Sequence, residues 1–236
     1  MSDIDLFEAI HTARAMRRLK PDPVPEALLS RVLDAAIRAG SAGNAQNWHF
    51  VVVRDPDLRR KLGDIYARAS KIAEAMYAAR GRPAHLSEAQ FAHLMTSGAH
   101  LWAHMGDAPV ILLPCLRRPV VPPPNALPPA MRALHQAELD YAERIRGASI
   151  YPAVQNLILA CRALGLGTTI TTNHLRCEDE VRALLRLPDD VDSFAMMPIG
   201  WPVDMFGPVR RRPLAEVVHA DRWETGWPAF VVTERP

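Results

Sequence analysis

The chain has 236 residues, a length that fits one domain with a substantial buried core. Its composition is 49% hydrophobic and 23% charged, which is ordinary for a globular protein. A net charge of +2 is too small to indicate a nucleic acid as the partner.

Cysteine usage and the lack of long apolar runs indicate where the protein works. Cys115, Cys161 and Cys177 have no close spacing, which fits a reducing compartment and argues against a disulfide framework or a zinc site. No signal peptide opens the sequence, and no apolar run approaches the roughly 18 residues of a membrane span. We therefore expect a soluble cytoplasmic protein with no membrane partner.

The first predicted helix, capped by Ser2 or Asp3, runs into a basic segment at residues 12–23. Arg14 and Arg17 are three positions apart, so on a helical turn they would face the same way. Two guanidinium groups on one face suit a phosphate dianion, which guanidinium binds bidentately. The alternative is a solvated helix end, where the helix dipole favours cations.

A loop of small and amide residues at positions 39–48 separates an amphipathic helix from the apolar run 49–53. It offers the hydroxyl of Ser41 and the carboxamides of Asn44 and Gln46. A carboxamide presents a donor and an acceptor side by side, which suits a flat heterocycle such as the flavin pyrimidine ring. The alternative is a polar loop that is capped by its own side chains.

The middle of the chain is mostly helical, and the segment 66–104 is predicted to be an insertion that covers a site. Ser87 and Gln90 form a capping box that opens a helix through Phe91 and Trp102. The apolar run 108–116 is typical of a buried strand, and prolines then connect it to a helix that ends near residue 146.

His100 and His104 have the spacing of two metal ligands on a helix, but they lack the glutamate of the protease motif and a third ligand. We therefore expect no metal site.

The segment Tyr151–Leu164 is predicted to be a buried central helix that Gly165 ends. The following run 165–172 has two glycines, but the order is helix then strand, whereas a dinucleotide fingerprint needs strand then helix. A helix around residues 181–185 and a strand at 194–199 come next.

A second basic cluster follows at residues 207–214, and in an extended segment Arg210 and Arg212 share one side. The terminal arm, from about residue 203 to 236, carries Trp223, Trp227 and Phe230, which suggests docking on a neighbouring protein.

The segment Ser41–Trp48 resembles the Ser-x-x-Asn-x-Gln-Pro-Trp loop of the FMN-dependent nitroreductase family, although Gly40 and Asn47 stand where that family commonly has proline. The resemblance extends from about residue 5 to 223 and is weakest between roughly 66 and 147. It implies that the early and late basic clusters grip the FMN phosphate and that the run after the central helix lies along the flavin ring. The implied cofactor-binding residues are Arg14, Ala15, Arg17, Ser41, Asn44, Gln46, Ile170, Thr171, Thr172, Arg210 and Arg212, where Ala15 replaces a family serine.

The resemblance further implies an oxidoreductase that takes electrons from NADPH or NADH and reduces nitroaromatic, quinone or related small acceptors by two-electron ping-pong transfer. No side chain is assigned as a nucleophile or an obligatory acid, and Arg17 is the candidate that stabilises the reduced ring. Phe91 and Trp102 in the lid would contact the substrate. The alternatives are a dehalogenase-type or flavin-consuming member of the family and a redox-silent flavin-binding protein. A nucleic-acid binder is disfavoured because no aromatic platform lies among the cations.

We expect one α+β domain over residues 1–236, with a central, mostly antiparallel sheet flanked by helices, a helical lid and a C-terminal arm. The family resemblance and the aromatic arm predict a homodimer with FMN at the subunit boundary.

Overall fold

The computed structural model describes residues 4–227, in which seven helices surround five strands. The helices are α1 (Leu6–Thr12), α2 (Glu26–Ala36), α3 (Pro56–Arg80), α4 (Glu88–His104), α5 (His135–Arg144), α6 (Ile150–Ala163) and α7 (Glu178–Leu185). The strands are β1 (Trp48–Val53), β2 (Val110–Arg117), β3 (Gly167–Thr168), β4 (Val191–Ser193) and β5 (Met197–Gly200).

The five strands form one sheet in which every pairing is antiparallel. The order is β1-β2-β5-β3, and β4 also pairs with β2, so β2 lies at the centre. The central position suits the apolar sequence of β2, whose residues are buried except for the last, Arg117. The expected α+β fold with an antiparallel sheet is confirmed.

Side chains of β2 alternate between two hydrophobic layers, as the period of a strand requires. Val110 and Leu112 belong to a layer that also contains α2 and α6, whereas Ile111 and Leu113 belong to a layer with α3, α4 and α7. The two layers cover both faces of the sheet, which explains why β2 has no polar face.

Helix α6 lies within the core, as its sequence predicts. Ile150, Val154, Leu157 and Cys161 are at most 2% exposed, and the helix packs against α2. Gly165 has a φ of +75°, a left-handed conformation that suits glycine and ends the helix.

The start of the chain differs from the sequence prediction. Asp5 caps α1, since its side chain accepts a hydrogen bond of 2.8 Å from the Glu8 amide. Helix α1 ends at Thr12, so the expectation that Arg14 and Arg17 share a helical turn is wrong. The reason is non-local: the Met16 amide donates to the Thr168 carbonyl at 3.0 Å, which holds the segment extended against the sheet.

The predicted strand 194–199 is correct only in its second half: β5 begins at Met197, and residues 194–196 belong to no strand. Strand β4 pairs Ser193 with Cys115, and β5 pairs Met197 with Leu112. The three residues 194–196 between these strands therefore lie opposite only two residues of β2, at positions 113 and 114. The extra residue interrupts the ladder in the manner of a β-bulge. It also frees the Met196 amide to bond the Thr171 carbonyl at 2.8 Å.

Candidate functional site

A cleft of about 510 Å³ lies beside the extended segment after α1, and four arginines line it. We call it the basic cleft. Its charged side chains are Arg14, Arg17, Arg18, Arg210 and Asp204. The cleft therefore brings together three predicted phosphate ligands from opposite ends of the chain, and Ala15 also lines it. Arg212 is not among the lining residues.

Backbone contacts explain how Arg210 reaches Arg14. The Val209 amide donates to the His11 carbonyl at 2.9 Å, which pins the late segment to the end of α1. A Cβ on Gly207 would lie only 3.9 Å from the Arg14 guanidinium, so the two segments run close together. The two basic clusters of the sequence thus form one positively charged surface.

A second cavity, of about 210 Å³, adjoins the basic cleft and shares Arg17 and Leu94 with it. We call it the lid pocket because α3 and α4 supply its cover. Its lining comprises Arg17, Tyr66, Tyr77, Leu94, Met95, Gly98, Leu101, Trp102 and Thr169–Asn173. The predicted residues Ile170, Thr171, Thr172 and Trp102 therefore meet Arg17, whereas Phe91 is not a lining residue.

Arg17 is a half-buried cation at the junction of the two cavities. Its guanidinium donates to the Ser97 hydroxyl at 3.4 Å. Burial lowers the pKa of Arg17, and the neighbouring Tyr66 and Tyr77 oppose that shift in part. Within residues 4–227, Arg17 makes no ion pair with a carboxylate. Because guanidinium stays protonated, the junction favours an anionic or electron-rich ligand.

Tyr66 holds in place the segment Thr169–Asn173, which we call the floor of the lid pocket. The sequence did not identify Tyr66 as a site residue. Its hydroxyl lies 2.8 Å from the Thr171 hydroxyl, and the Asn173 amide donates to the Ser70 hydroxyl at 3.1 Å. Burial raises the pKa of Tyr66, so the phenol is neutral at physiological pH. The available signal was a tyrosine on the apolar face of a helix, where the hydroxyl needs a partner.

The loop after α2 has an unusual backbone conformation. Gly43, Asn44 and Gln46 have φ angles of +59°, +52° and +48°. Such angles are uncommon outside glycine and cluster at ligand sites, where surrounding contacts enforce them. Here the Asn47 side chain donates to the Arg117 carbonyl at 2.7 Å, a contact that the proline of related loops could not make.

The amide side chains of this loop bond to each other, which agrees in part with the self-capped alternative. The Gln46 backbone amide donates to the Ser41 hydroxyl, and the Gln46 side chain donates to the side-chain oxygen Oδ1 of Asn44, both at 3.0 Å. Asn44 and Gln46 are nevertheless exposed, so their remaining hydrogen-bonding capacity faces outward.

The loop does not line the basic cleft or the lid pocket of its own chain. Ala42, Ala45 and Asn47 instead line a third cavity of about 530 Å³, with mostly apolar walls that include Tyr141 and Phe194. We call it the apolar cavity. One chain therefore brings Arg14, Arg17, Arg210 and residues 170–172 together, but it leaves Ser41, Asn44 and Gln46 elsewhere.

The two histidines of α4 contact each other and a nearby carboxylate. The rings of His100 and His104 stack at 4.4 Å, and His104 Nδ1 lies 2.7 Å from a carboxylate oxygen of Asp107. In the described part of the chain, no three His, Cys, Asp or Glu side chains are grouped to hold a metal ion. Over residues 4–227, no helix has both the length and the apolar character that a membrane span needs.

Comparisons of the sequence with known proteins identify its family. A model described as Nitroreductase family matches residues 10–201. An NADH dehydrogenase of Thermus thermophilus is 32% identical over 221 residues, which cover 91% of this chain and 95% of the relative. A provisionally named NADH dehydrogenase/NAD(P)H nitroreductase of Methanothermobacter thermautotrophicus is 26% identical, with 94% and 90% covered.

A solved structure of similar fold is an oxidized iodotyrosine deiodinase bound to FMN and 3-iodo-L-tyrosine. It superposes with a TM-score of 0.65 at 22% identity, covering 92% of this chain and 99% of the other.

Proposed function

The chain belongs to the nitroreductase family and is an oxidoreductase, and from this premise we propose its reaction. It is an FMN-dependent enzyme that passes two electrons from NADH or NADPH to a small nitroaromatic or quinone acceptor. The FMN in the deiodinase structure and the names of the relatives support the cofactor and the donor. The observation that carries the proposal is Arg17, a half-buried cation without a carboxylate partner in the described residues, where the basic cleft meets the lid pocket.

The residues of the two cavities fit the chemistry of FMN. Arg14 and Arg210 present cations to the basic cleft, as a terminal phosphate dianion requires. Arg17 and the segment Ile170–Thr172 would hold the ring in the adjoining lid pocket. No glycine-rich helix start lies in the described chain to receive a pyrophosphate, so we prefer FMN to FAD.

Bound FMN supplies the hydride chemistry, and the protein supplies position and electrostatics. The fixed charge of Arg17 stabilises negative charge that develops in the lid pocket. Tyr66 holds Thr171, and thereby the pocket floor, through their 2.8 Å hydrogen bond. Helices α3 and α4 line the same space, where they would shield a bound ring from water.

We expect donor and acceptor to bind in turn, because Arg17 and the segment Ile170–Thr172 would cover one face of the flavin ring and leave one face to serve both substrates. Steady-state kinetics should therefore give parallel lines in double-reciprocal plots. Intersecting lines together with a detectable ternary complex would contradict this mechanism.

We also propose a homodimer with the cofactor at the subunit boundary. Ser41, Asn44 and Gln46 lie outside the basic cleft of their own chain, so a second copy is needed to bring them to it. The exposed aromatics support an interface, since Trp223 is 81% and Trp227 is 42% exposed; Phe230 lies outside the described residues. A monomeric mass at micromolar concentration with flavin still bound would overturn this proposal.

The lid pocket favours neutral or anionic aromatic acceptors over amino acids. Arg17 is the one charged side chain among its described lining residues, and no carboxylate is there to pair with an α-ammonium group. A dehalogenase for amino-acid substrates is therefore the less favoured alternative. Stopped-flow oxidation of the reduced protein by quinones, nitroarenes, halophenols and 3-iodotyrosine tests this; fastest oxidation by the amino acid would contradict it.

The cofactor itself is tested by colour and titration. The purified protein should be yellow, and NADPH should bleach the colour; a yellow protein that does not bleach would be a redox-silent flavin binder. Arg210→Ala should weaken FMN binding to the apoprotein by about tenfold. Arg212→Ala removes the same charge from outside the cleft and should weaken it less than about threefold. Equal effects would contradict the choice of Arg210.

A further inference from the structure

We propose that Arg162 is a positioning residue for the basic cleft. It does not line the cleft, but it holds together the segments from which Arg14 and Arg210 enter it. The inference rests on the proposed function, because it concerns the affinity of the same site for the FMN phosphate.

Arg162 lies in the last turn of α6 and makes three contacts with two other segments. Its Nε donates to the Thr12 hydroxyl at 2.7 Å, and its Nη2 donates to a Glu8 carboxylate oxygen at 3.1 Å. Its guanidinium carbon also lies 4.4 Å from the centre of the Phe206 ring. The Arg162 side chain is only 13% exposed, whereas the Glu8 side chain that it pairs with is 48% exposed.

The contacted residues stand directly beside the cleft arginines in the sequence. Thr12 ends α1 two positions before Arg14, and Phe206 comes four positions before Arg210. Two backbone bonds also join these stretches of chain: the Val209 amide donates to the His11 carbonyl at 2.9 Å, and the Val203 amide donates to the Arg18 carbonyl at 3.0 Å. Arg162 therefore helps to set the distance between Arg14 and Arg210.

The chemistry of these contacts requires arginine. A planar guanidinium donates from different nitrogens to separate acceptors and stacks flat on an aromatic ring at the same time, whereas an ammonium group donates from a single nitrogen and has no planar face to stack. Glu8 also neutralises the charge of Arg162. Arg162 is therefore not itself an anion ligand, and its effect on affinity must pass through Arg14 and Arg210.

The first test measures FMN affinity of the apoprotein by fluorescence titration, together with thermal stability. Arg162→Met should weaken FMN binding about tenfold, and Arg162→Lys and Phe206→Leu about threefold each. Arg182→Met is the matched control, because Arg182 is also largely buried but bonds the Val191 and Pro188 carbonyls away from the cleft. It should lower stability and leave FMN affinity unchanged.

A double-mutant cycle separates positioning from a general structural role. In an Arg14→Ala/Arg210→Ala background, Arg162→Met should change FMN affinity less than about twofold, since no cations remain to be positioned. An undiminished effect in that background, or unchanged affinity in all three single variants, would overturn the inference. If Arg14→Ala/Arg210→Ala itself leaves FMN affinity unchanged, the proposed cofactor site fails instead. If Arg162→Met does not fold, the milder Arg162→Lys and Phe206→Leu variants decide.

Discussion

The basic cleft and the apolar cavity both have arginines in their walls, but the two sets differ in what neutralises their charge. Beside the apolar cavity, three arginines converge on the carboxylate of Asp192, whose side chain is 12% exposed. The nitrogen–oxygen distances are 3.1 Å for Arg118, 2.5 Å for Arg146 and 3.6 Å for Arg182. In the basic cleft, Arg14, Arg17 and Arg210 make no ion pair with any residue that the structure describes.

This difference identifies the ligand site better than size does. The apolar cavity has about 530 Å³ against about 210 Å³ for the lid pocket, but its cations already have a partner within the chain. A half-buried cation without a partner costs solvation energy until an anion binds. Mutations should therefore separate the two regions: those around Asp192 should change stability, and those in the basic cleft should change ligand affinity.

The largest effect is expected at Asp192. Asp192→Asn preserves the volume but leaves three guanidinium groups without their carboxylate, and it should lower the free energy of unfolding by about 3 kcal/mol. Urea denaturation measures this, with Asp34→Asn as the control, since Asp34 pairs with Arg38 at the surface and its replacement should hardly change stability. The FMN affinity of the folded protein should not change. A loss equal to that of the control would remove the contrast between the regions.

Arg17→Met should have the opposite pattern. FMN affinity should fall about 10- to 150-fold, because a contact with a half-buried charged group is lost. The apoprotein should be as stable as the wild type or more stable, since the half-buried cation that is removed has no carboxylate partner among the described residues and only a 3.4 Å bond to the Ser97 hydroxyl. Apoprotein titration and urea denaturation measure the two quantities. A destabilised apoprotein would indicate that Arg17 has a structural partner instead of awaiting an anion.

The sequence predicted that arginines from both ends of the chain meet in one cleft, but it did not predict the geometry that brings them together. Arg14, Arg17 and Arg210 meet as expected, but the helical turn that was to align the first two does not exist. The actual cause is the bond from Met16 to the Thr168 carbonyl, a contact between residues more than 150 positions apart. Propensity and spacing report on local structure, and they do not contain such contacts.

The same limit applies to the loop and the sheet. The central helix, the capping box at Ser87 and the buried strand β2 followed from local patterns, and the structure confirms them. The bulge near Phe194 depends on the register against β2, which the apolar run 194–199 does not reveal. The loop 41–47 was expected to bind the same cofactor as residues 170–172, but within the described chain it lines neither the basic cleft nor the lid pocket.

His174 connects the two regions, and it makes stability depend on pH. It follows the floor of the lid pocket, and its Nε2 lies 3.1 Å from the hydroxyl of Ser193, the neighbour of Asp192. Burial lowers the pKa of His174 to about 4, and its Nδ1 has no partner among the described residues. The unfolded state binds a proton near pH 6.5 and the folded state near pH 4, so stability is complete above 6.5 and is lost as the pH falls between these values.

Between pH 7 and pH 5 this histidine should account for a loss of about 2 kcal/mol in the unfolding free energy of the apoprotein. His174→Gln keeps a side-chain nitrogen for Ser193 but does not titrate, so its stability should depend less on pH by that amount. Urea denaturation of both proteins at the two pH values measures the difference. If the unfolding free energies of the wild type and His174→Gln change equally between the two pH values, other groups cause the pH dependence.

The smallest effect is expected for the loop 41–47 beside the apolar cavity. It tests whether this loop belongs to the cofactor site. Asn44 has a φ of +52°, so Asn44→Gly removes the carboxamide without straining the backbone. If a second copy brings this loop to the basic cleft, FMN affinity should fall about two- to tenfold, the range for one neutral hydrogen bond. Asn44 is exposed, and its side chain accepts a bond from the neighbouring Gln46 side chain, so stability should hardly change. Titration of the dimeric apoprotein with FMN measures the effect, and Gly40→Ala, a change at a position with open space, is the control. An unchanged affinity in a dimer would mean that the apolar cavity and its loop serve only the fold, and that the basic cleft and lid pocket of one chain bind the cofactor alone.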